Sequence, residues 1–330
     1  MDRLNKTELQ VLENFLKSDQ EQTKNTMYTL LKEYYPNVVY NKKYIYAEGS
    51  TPIVLCAHMD TVFPKPCTEI YYDTKKNVMW SPQGAGFDDK AGIYAITSII
   101  ADGYRPHIVL TTDEEVGCLG ASALASIPCP FKKVQFIIQL DRRGANDCIF
   151  YDCENEEFMD YIESFGFVTN FGSFTDIVEL CPAWKCAGVN LSIGYRDEHT
   201  RQETLFVSCM LDTINKVKKI LDQKVEDIPY FEYIESPDIP SYFNWDIQPQ
   251  PQARCNFCGK LYRTDELLDN VKLIKGGVGR TCFDCFADCV ELCGECGAPY
   301  QKKKSNDTGL CPSCNRKVKQ NGSKRKYSKK

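Results

Sequence analysis

The sequence predicts an α/β protein, a mostly parallel central sheet flanked by helices, with a small cysteine-rich zinc-ribbon module at its C-terminal end. Three observations lead there. Short apolar runs alternate with helical patterns over most of the chain, several of those runs end in histidine or acids, and four C-x-x-C units crowd the final part. At 330 residues, 43% apolar and 12% aromatic, the chain can bury a sizeable core. The net charge of -5 is mild and gives no chain-wide signature of nucleic-acid binding, although bases gather at the C-terminus. Neither a signal peptide nor an apolar run of membrane-spanning length is visible, so a soluble, cytoplasmic protein is expected. Its 18 cysteines are then reduced thiols, and regularly spaced ones are metal ligands before they are disulfides.

The elements follow in order. From Lys6 to about Tyr35 the apolar positions recur at helical spacing. "TPIVLCAH" (51–58), "HIVLTTDEE" (107–115), "VQFIIQLD" (134–141) and "GVNLSIG" (188–194) read as buried strands. "KAGIYAITSIIADG" (90–103), "ASALASI" (121–127) and the amphipathic "LFVSCMLDTINKVKKILD" (205–222) read as helices. This predicts a catalytic domain over 1–224. A linker rich in proline, aromatics and acids is expected over 225–254, two four-cysteine units over 255–314, and a basic, disordered tail over 315–330.

In open α/β sheets functional groups collect at the carboxyl ends of the strands. Here those ends deliver His58 and Asp60, then Asp113, Glu114 and Glu115, then Asp141, and slightly beyond its strand His199; Asp88 and Asp89 sit in the glycine-flanked "GAGFDDKAG". The chain has only 3 histidines, and two of them fall in this set. Such a gathering of imidazoles and carboxylates points to metal binding. His107 begins its strand, away from these ends, and is expected to be structural.

The ordered set H-x-D, G-x-D-D-K-x-G, D-E-E-x-G, a lone strand-end aspartate and a late histidine resembles the co-catalytic di-zinc exopeptidase superfamily, which includes peptidase T, the carboxypeptidase G and aminoacylase relatives, and the single-domain aminopeptidases. "AHMDTV", "GFDDKAGI" and "TDEEVG" are most similar to the peptidase T branch, and the resemblance spans Thr51 to about Thr200. It implies two zinc ions bridged by Asp88, one completed by His58 and Asp141, the other by Glu115 and His199. Asp60 would orient His58 through its ring N–H. Glu114 would be the general base that takes a proton from water and passes it to the leaving amine. Zinc is the default metal, and cobalt or manganese suits so many carboxylates as well. Asp176 in "GSFTDI" is a candidate support for the site or a helix cap. Arg142, Arg143 and Arg201, beside the implied ligands, are candidates for gripping a substrate carboxylate or carbonyl oxygen. The stretch from Asp141 to His199 is too short for the lid domain inserted there in two-domain members, so tripeptide specificity does not carry over. A peptide or small amide is the expected substrate. The expected activity is that of a metallopeptidase, an exopeptidase acting on a free N-terminus, with an N-acyl amino acid deacylase or an inactive scaffold as alternatives.

The cysteine-rich part reads C-x2-C-x23-C-x2-C over Cys255, Cys258, Cys282 and Cys285, then C-x2-C-x14-C-x2-C over Cys293, Cys296, Cys311 and Cys314. Each half suits a tetrahedral structural zinc. Serial pairing is expected rather than a cross-braced one that joins the first unit to the third. Glycine follows the second cysteine in "CNFCG" and "CGECG", as a knuckle turn requires. Cysteines before residue 210 show no ligand spacing and should fill the core. The ribbons and the basic tail are where a nucleic-acid or protein partner would bind.

Overall fold

The computed structural model describes residues 3–172, 174–235, 252–263, 267–274, 278–302, 308–316 and 318. Two compact units divide the chain, residues 1–239 and 240–330. Among the described residues no helix is long and apolar enough to cross a membrane.

The N-terminal helical pattern resolves into two helices, α1 (Lys6–Leu16) and α2 (Gln20–Tyr34). The break follows from capping chemistry. Asn5 with Glu8, and Asp19 with Gln22, form reciprocal capping boxes that satisfy the first backbone N–H groups of each helix. After β1 (Val38–Tyr40) and β2 (Tyr44–Ala47) comes β3 (Thr51–His58), whose eight residues are buried apart from Thr51. The chain continues through β4 (Tyr71–Asp73), β5 (Val78–Trp80), α3 (Phe87–Ala101), β6 (Pro106–Thr111), α4 (Leu119–Ala125), β7 (Phe136–Arg142), β8 (Asp147–Ile149), α5 (Glu156–Glu163), β9 (Val168–Thr169), α6 (Asp176–Trp184), β10 (Gly188–Ser192), β11 (Tyr195–Arg196), β12 (Thr204–Phe206) and α7 (Val207–Leu221).

The eight-stranded sheet runs β1-β2-β6-β3-β7-β10-β8-β9. Its centre, β6, β3, β7 and β10, is parallel, and these strands carry the near-continuous apolar runs expected where both faces are covered. Helix α3, buried on nearly every side, packs on β3 and β7 and touches α1 and α7, while α4 and α6 pack together. A Cβ on Gly92 would stand 2.3 Å from the Leu140 carbonyl oxygen, so only glycine lets α3 come this close to β7. A second, antiparallel sheet, β11-β12-β5-β4, has strands too short to register in sequence periodicity.

The domain boundary expected at 224 lies further on. Ile228 and Phe231 are buried in the core of the first unit, Phe231 exchanges backbone hydrogen bonds with Gln135 and Ala187, and Glu232 and Glu235 bridge to Cys186 and Cys153. Aromatic and proline-flanked residues that read as linker thus pack where β7 and β10 begin, with the Phe231 ring centroid 5.0 Å from that of Phe158. The far end of the expected linker also has structure, since β13 (Gln252–Arg254) pairs with β14 (Leu261–Arg263). Residues 236–251 and almost all of the basic tail, with whatever partner surface it carries, lie outside the described residues. Seven of the nine cysteines before residue 210 are buried, as core-filling residues should be.

The second unit holds β15 (Leu268–Lys272), β16 (Val278–Thr281), α8 (Phe283–Cys289), β17 (Val290–Leu292) and β18 (Pro299–Gln301), in a sheet ordered β16-β15-β18-β17.

Candidate functional site

His58 ends β3, and Thr111 ends the adjacent β6 just before Asp113, Glu114 and Glu115. Asp141 lies near the end of β7 on the other side of β3, and His199 arrives on the turn between β11 and β12. Asp88 and Asp89 open α3 in non-helical conformations, and the peptide bond between them is cis.

These elements bring the sequence-selected residues together. His58 Nε2 lies 3.1 Å from Asp88 Oδ1, 3.4 Å from Asp141 Oδ1 and 3.9 Å from Glu114 Oε2. His199 Nε2 lies 3.2 Å from Asp88 Oδ2 and 2.9 Å from Glu115 Oε2. Asp88 therefore presents one oxygen to each histidine. Behind His58, Asp60 Oδ1 stands 3.3 Å from Nδ1, within ion-pair reach although outside hydrogen-bond geometry, and the Asp60 carboxylate accepts the backbone N–H groups of Glu114 and Glu115, each at 3.1 Å. One side chain thus ties the imidazole to the segment carrying both glutamates.

The charge balance of this nest is unfavourable by itself. Burial, reinforced by the charges of Asp141, Asp176 and Asp88, pushes the Glu114 carboxyl up to about 9 against the opposing pull of His58. Burial and the Asp88 charge raise Asp141 to about 7. Hydrogen bonds to Asp88 and Glu115 hold His199 up at about 11. Burial opposes ionisation of Asp88 too, but the two histidines carry it well below the usual carboxylate range. Acids crowded out of water in this way call for cations.

The residues fit zinc. Two groups, His58/Asp88/Asp141 and Asp88/Glu115/His199, each place their donor atoms within 4.8 Å of one another, and Glu115 Oε1 is buried with no partner. Zinc bonds of about 2.0–2.2 Å at tetrahedral angles set donors roughly 3.4 Å apart, close to the separations found. Asp88, Glu114, Asp141 and His199 line a cavity of about 110 Å³ together with Arg142, Arg143, Tyr151, Phe174 and Glu198. Of two larger cavities, the one of about 480 Å³ is lined by Asp60 and Glu115 and so borders the cluster, whereas the one of about 530 Å³ holds none of these residues.

Several supporting residues escaped the sequence reading. Buried Glu203 accepts the backbone N–H of Gly86 at 2.7 Å and of Asp88 at 2.9 Å, holding the turn that presents Asp88. Burial raises its carboxyl to about 7. Asp141 accepts from Thr175 at 2.8 Å, Tyr195 at 3.0 Å and Gln139 at 3.1 Å. Asp89 accepts from the His58 backbone N–H at 3.2 Å and the Gly92 N–H at 3.0 Å. Asp176 is buried, takes the Thr111 hydroxyl, and keeps Oδ1 without a partner. Asp113 stays outside the cluster, paired with Lys43 at 2.7 Å. His107 is structural, bonded to Gly49 N–H and the Lys133 carbonyl and stacked on Phe131. Of the three arginines, Arg142 donates to the Phe171 carbonyl, Arg143 pairs with Glu198, and Arg201 is exposed.

In the second unit the eight cysteines form two groups in serial order, Cys255/Cys258/Cys282/Cys285 and Cys293/Cys296/Cys311/Cys314. The Cys258–Cys282 and Cys296–Cys311 sulfur separations, 4.0 and 3.8 Å, suit tetrahedral zinc–thiolate bonds of about 2.3 Å. Gly259 and Gly297 adopt positive φ, +74° and +68°, as the knuckles require. Burial opposes it, yet backbone N–H donors bring the Cys255 and Cys311 thiols down to about 6. Lys272 on β15 reaches Cys311 Sγ at 3.4 Å and Cys296 Sγ at 3.7 Å, so a residue from between the first group's cysteines supplies positive charge to the second.

Residues 37–166 match the profile of peptidase family M28. Among solved structures the chain is similar to a tripeptidase from Staphylococcus aureus (12% identity, 67% of this chain and 98% of that one, TM-score 0.53). It is also similar to aminopeptidase PepT from Bacillus cereus (13%, 65% and 97%, 0.52) and to a Zn-dependent exopeptidase from Parabacteroides distasonis (14%, 68% and 99%, 0.50). No curated protein matches the chain. At such identities the structural likeness speaks for the fold: the first unit has the fold of the zinc-dependent exopeptidases, and residues 37–166 are similar to peptidase family M28.

Proposed function

We propose that the chain is a metallopeptidase of the aminopeptidase type, working with two zinc ions held by His58, Asp88, Asp141, Glu115 and His199, with cobalt or manganese as substitutes. The observation that carries this reading is the position of Asp88, one oxygen facing each histidine, with Glu114 beside the pair. Zinc ions in this nest would polarise a scissile carbonyl and acidify a water molecule.

The protein's own groups supply the rest. Glu114 accepts the proton of the attacking water and returns it to the departing amine, which needs a carboxylate poised near neutrality rather than a solvated acid. Burial beside Cys118, whose thiol lies 3.5 Å from Glu114 Oε1, keeps the carboxyl out of bulk water, and the charge of bound zinc would draw it down from its metal-free value of about 9 into the range a base needs. Asp60 fixes the orientation of His58 and, through two backbone N–H groups, the position of Glu114. The eight cysteines of the second unit would hold two further zinc ions in a purely structural role.

Elemental analysis of the full chain should find about four zinc ions. Glu114→Gln should retain them while lowering kcat on a leucine or alanine anilide by at least about 100-fold. Retained turnover would remove Glu114 from its role, and preferential hydrolysis of N-acetyl amino acids would replace the aminopeptidase with a deacylase.

A further inference from the structure

Glu198 shares the small cavity with Glu114, Asp88 and His199. Its Oε1 is held by the Arg143 guanidinium at 2.8 Å, whereas Oε2 is buried without any partner. A carboxylate oxygen shut off from water and left unpaired is costly, so its place in the wall of a working cleft needs a reason. A metal ion does not provide it. Among the described residues Glu198 belongs to none of the groups whose donor atoms converge. The turn is tightly set, because the residues on either side, Asp197 and His199, both adopt positive φ, 56° and 62°. Arg143 fixes one oxygen and leaves the other, in the wall of the same cavity, with no partner among the described residues.

The geometry points to Glu198 as the acceptor for the free α-ammonium group of the substrate. This rests on the aminopeptidase reading and assigns the residue that enforces it. The α-ammonium sits one carbon from the scissile carbonyl, so a peptide whose carbonyl lies beside Glu114 presents that cation to the walls of the same cavity. An N-acylated substrate carries no charge there and leaves Oε2 buried and unpaired, which disfavours its binding. Glu198 makes no contact with the reacting atoms and acts on binding, so its effect belongs in KM rather than kcat.

The test compares the zinc-loaded full chain with Glu198→Gln, which preserves shape and removes charge, after zinc content and melting midpoint are shown to match. The KM for leucine anilide and the dissociation constant of leucinol, a free-amine probe measured by titration calorimetry, should both rise on the order of 10- to 100-fold. The dissociation constant of 4-methylpentanol, which lacks the amine, should move less than about threefold. Glu198→Asp, retaining the charge, should recover part of the leucinol affinity. Equal changes for both alcohols, or leucinol affinity unaltered by Glu198→Gln, would overturn the assignment. Leucinol binding needs no turnover. A wild-type chain that binds leucinol through Glu198 yet cleaves no aminoacyl bond would therefore sink the aminopeptidase reading alone, and one that cleaves leucine anilide with no dependence on Glu198 would sink the assignment alone.

Discussion

Replacing Glu203 with alanine tests whether the Asp88 turn is held from a distance. Glu203 is 1% exposed and gives an acceptor oxygen to each of two buried N–H groups, Gly86 at 2.7 Å and Asp88 at 2.9 Å. Hydrogen bonds to a charged partner contribute about 1.5–3 kcal/mol each, so losing both should cost about 3–6 kcal/mol. In a domain of this size that lowers the melting midpoint by roughly 2–4 °C per kcal/mol, or roughly 6–24 °C in all. Asp88 faces both histidines, so a loosened turn should also weaken metal binding in the first unit, by about 10- to 100-fold for a supporting residue of this kind. Scanning calorimetry of the zinc-loaded chain reads the first effect, and competition with a chromogenic chelator reads the second. Glu203→Gln keeps one good acceptor oxygen and should fall between. A Glu203→Ala protein that melts within about 2 °C of the parent and holds its zinc equally tightly would show that the turn is fixed by its own glycines and not by Glu203.

Removing the metal should make stability depend on pH in a defined direction. Glu114 at about 9, Asp141 at about 7 and Asp176 at about 6 all lie above their ordinary values, with burial as the first cause. The folded, metal-free protein therefore binds more protons than the unfolded chain across roughly pH 5–9. Its melting midpoint should fall as pH rises through that window, and added zinc should flatten the trend; a midpoint that rises instead would contradict the charge balance described for the nest. In the second unit, Lys272→Met removes the ammonium facing Cys311 and Cys296. Zinc release to a chelator should accelerate about 10-fold from the second cysteine group and not from the first, and equal release from both would show that Lys272 plays no part.

The candidate metal ligands were legible because each sits at a recurrent kind of place. Strands 51–58 and 134–141 announce themselves as apolar runs, and a polar residue that ends such a run is forced to the carboxyl edge of the sheet, where crossover connections bring several strand ends together. Strand-end position was thus enough to gather His58, Asp60, Asp113, Glu114, Glu115 and Asp141, and the resemblance of the ordered motifs to the di-zinc exopeptidases singled out His58, Asp88, Glu115, Asp141 and His199 among the candidates. Serial grouping of the cysteines was similarly readable, since each half pairs two short C-x-x-C turns, the first of them followed by a glycine.

Other features had no local signature. Nothing around Glu203 or Thr175 marks it as a partner of Asp88 or Asp141, because these bonds join residues far apart in sequence and several of them end on backbone N–H groups, which every residue possesses. The first unit's true end was hidden for a related reason. "EDIPYFEYIE" has neither helical nor strand period, yet Ile228 and Phe231 bury themselves in the core through individual contacts. The sequence by itself determined which strands carry histidine and acids to the sheet's carboxyl edge and which cysteines group together, because both follow from periodicity and spacing. Only the tertiary structure decided how those side chains are held: Asp60 tied to Glu114 and Glu115, Glu203 to the Asp88 turn, Glu198 with one oxygen fixed and one free. Orientation depends on hydrogen bonds between segments that only packing brings into contact.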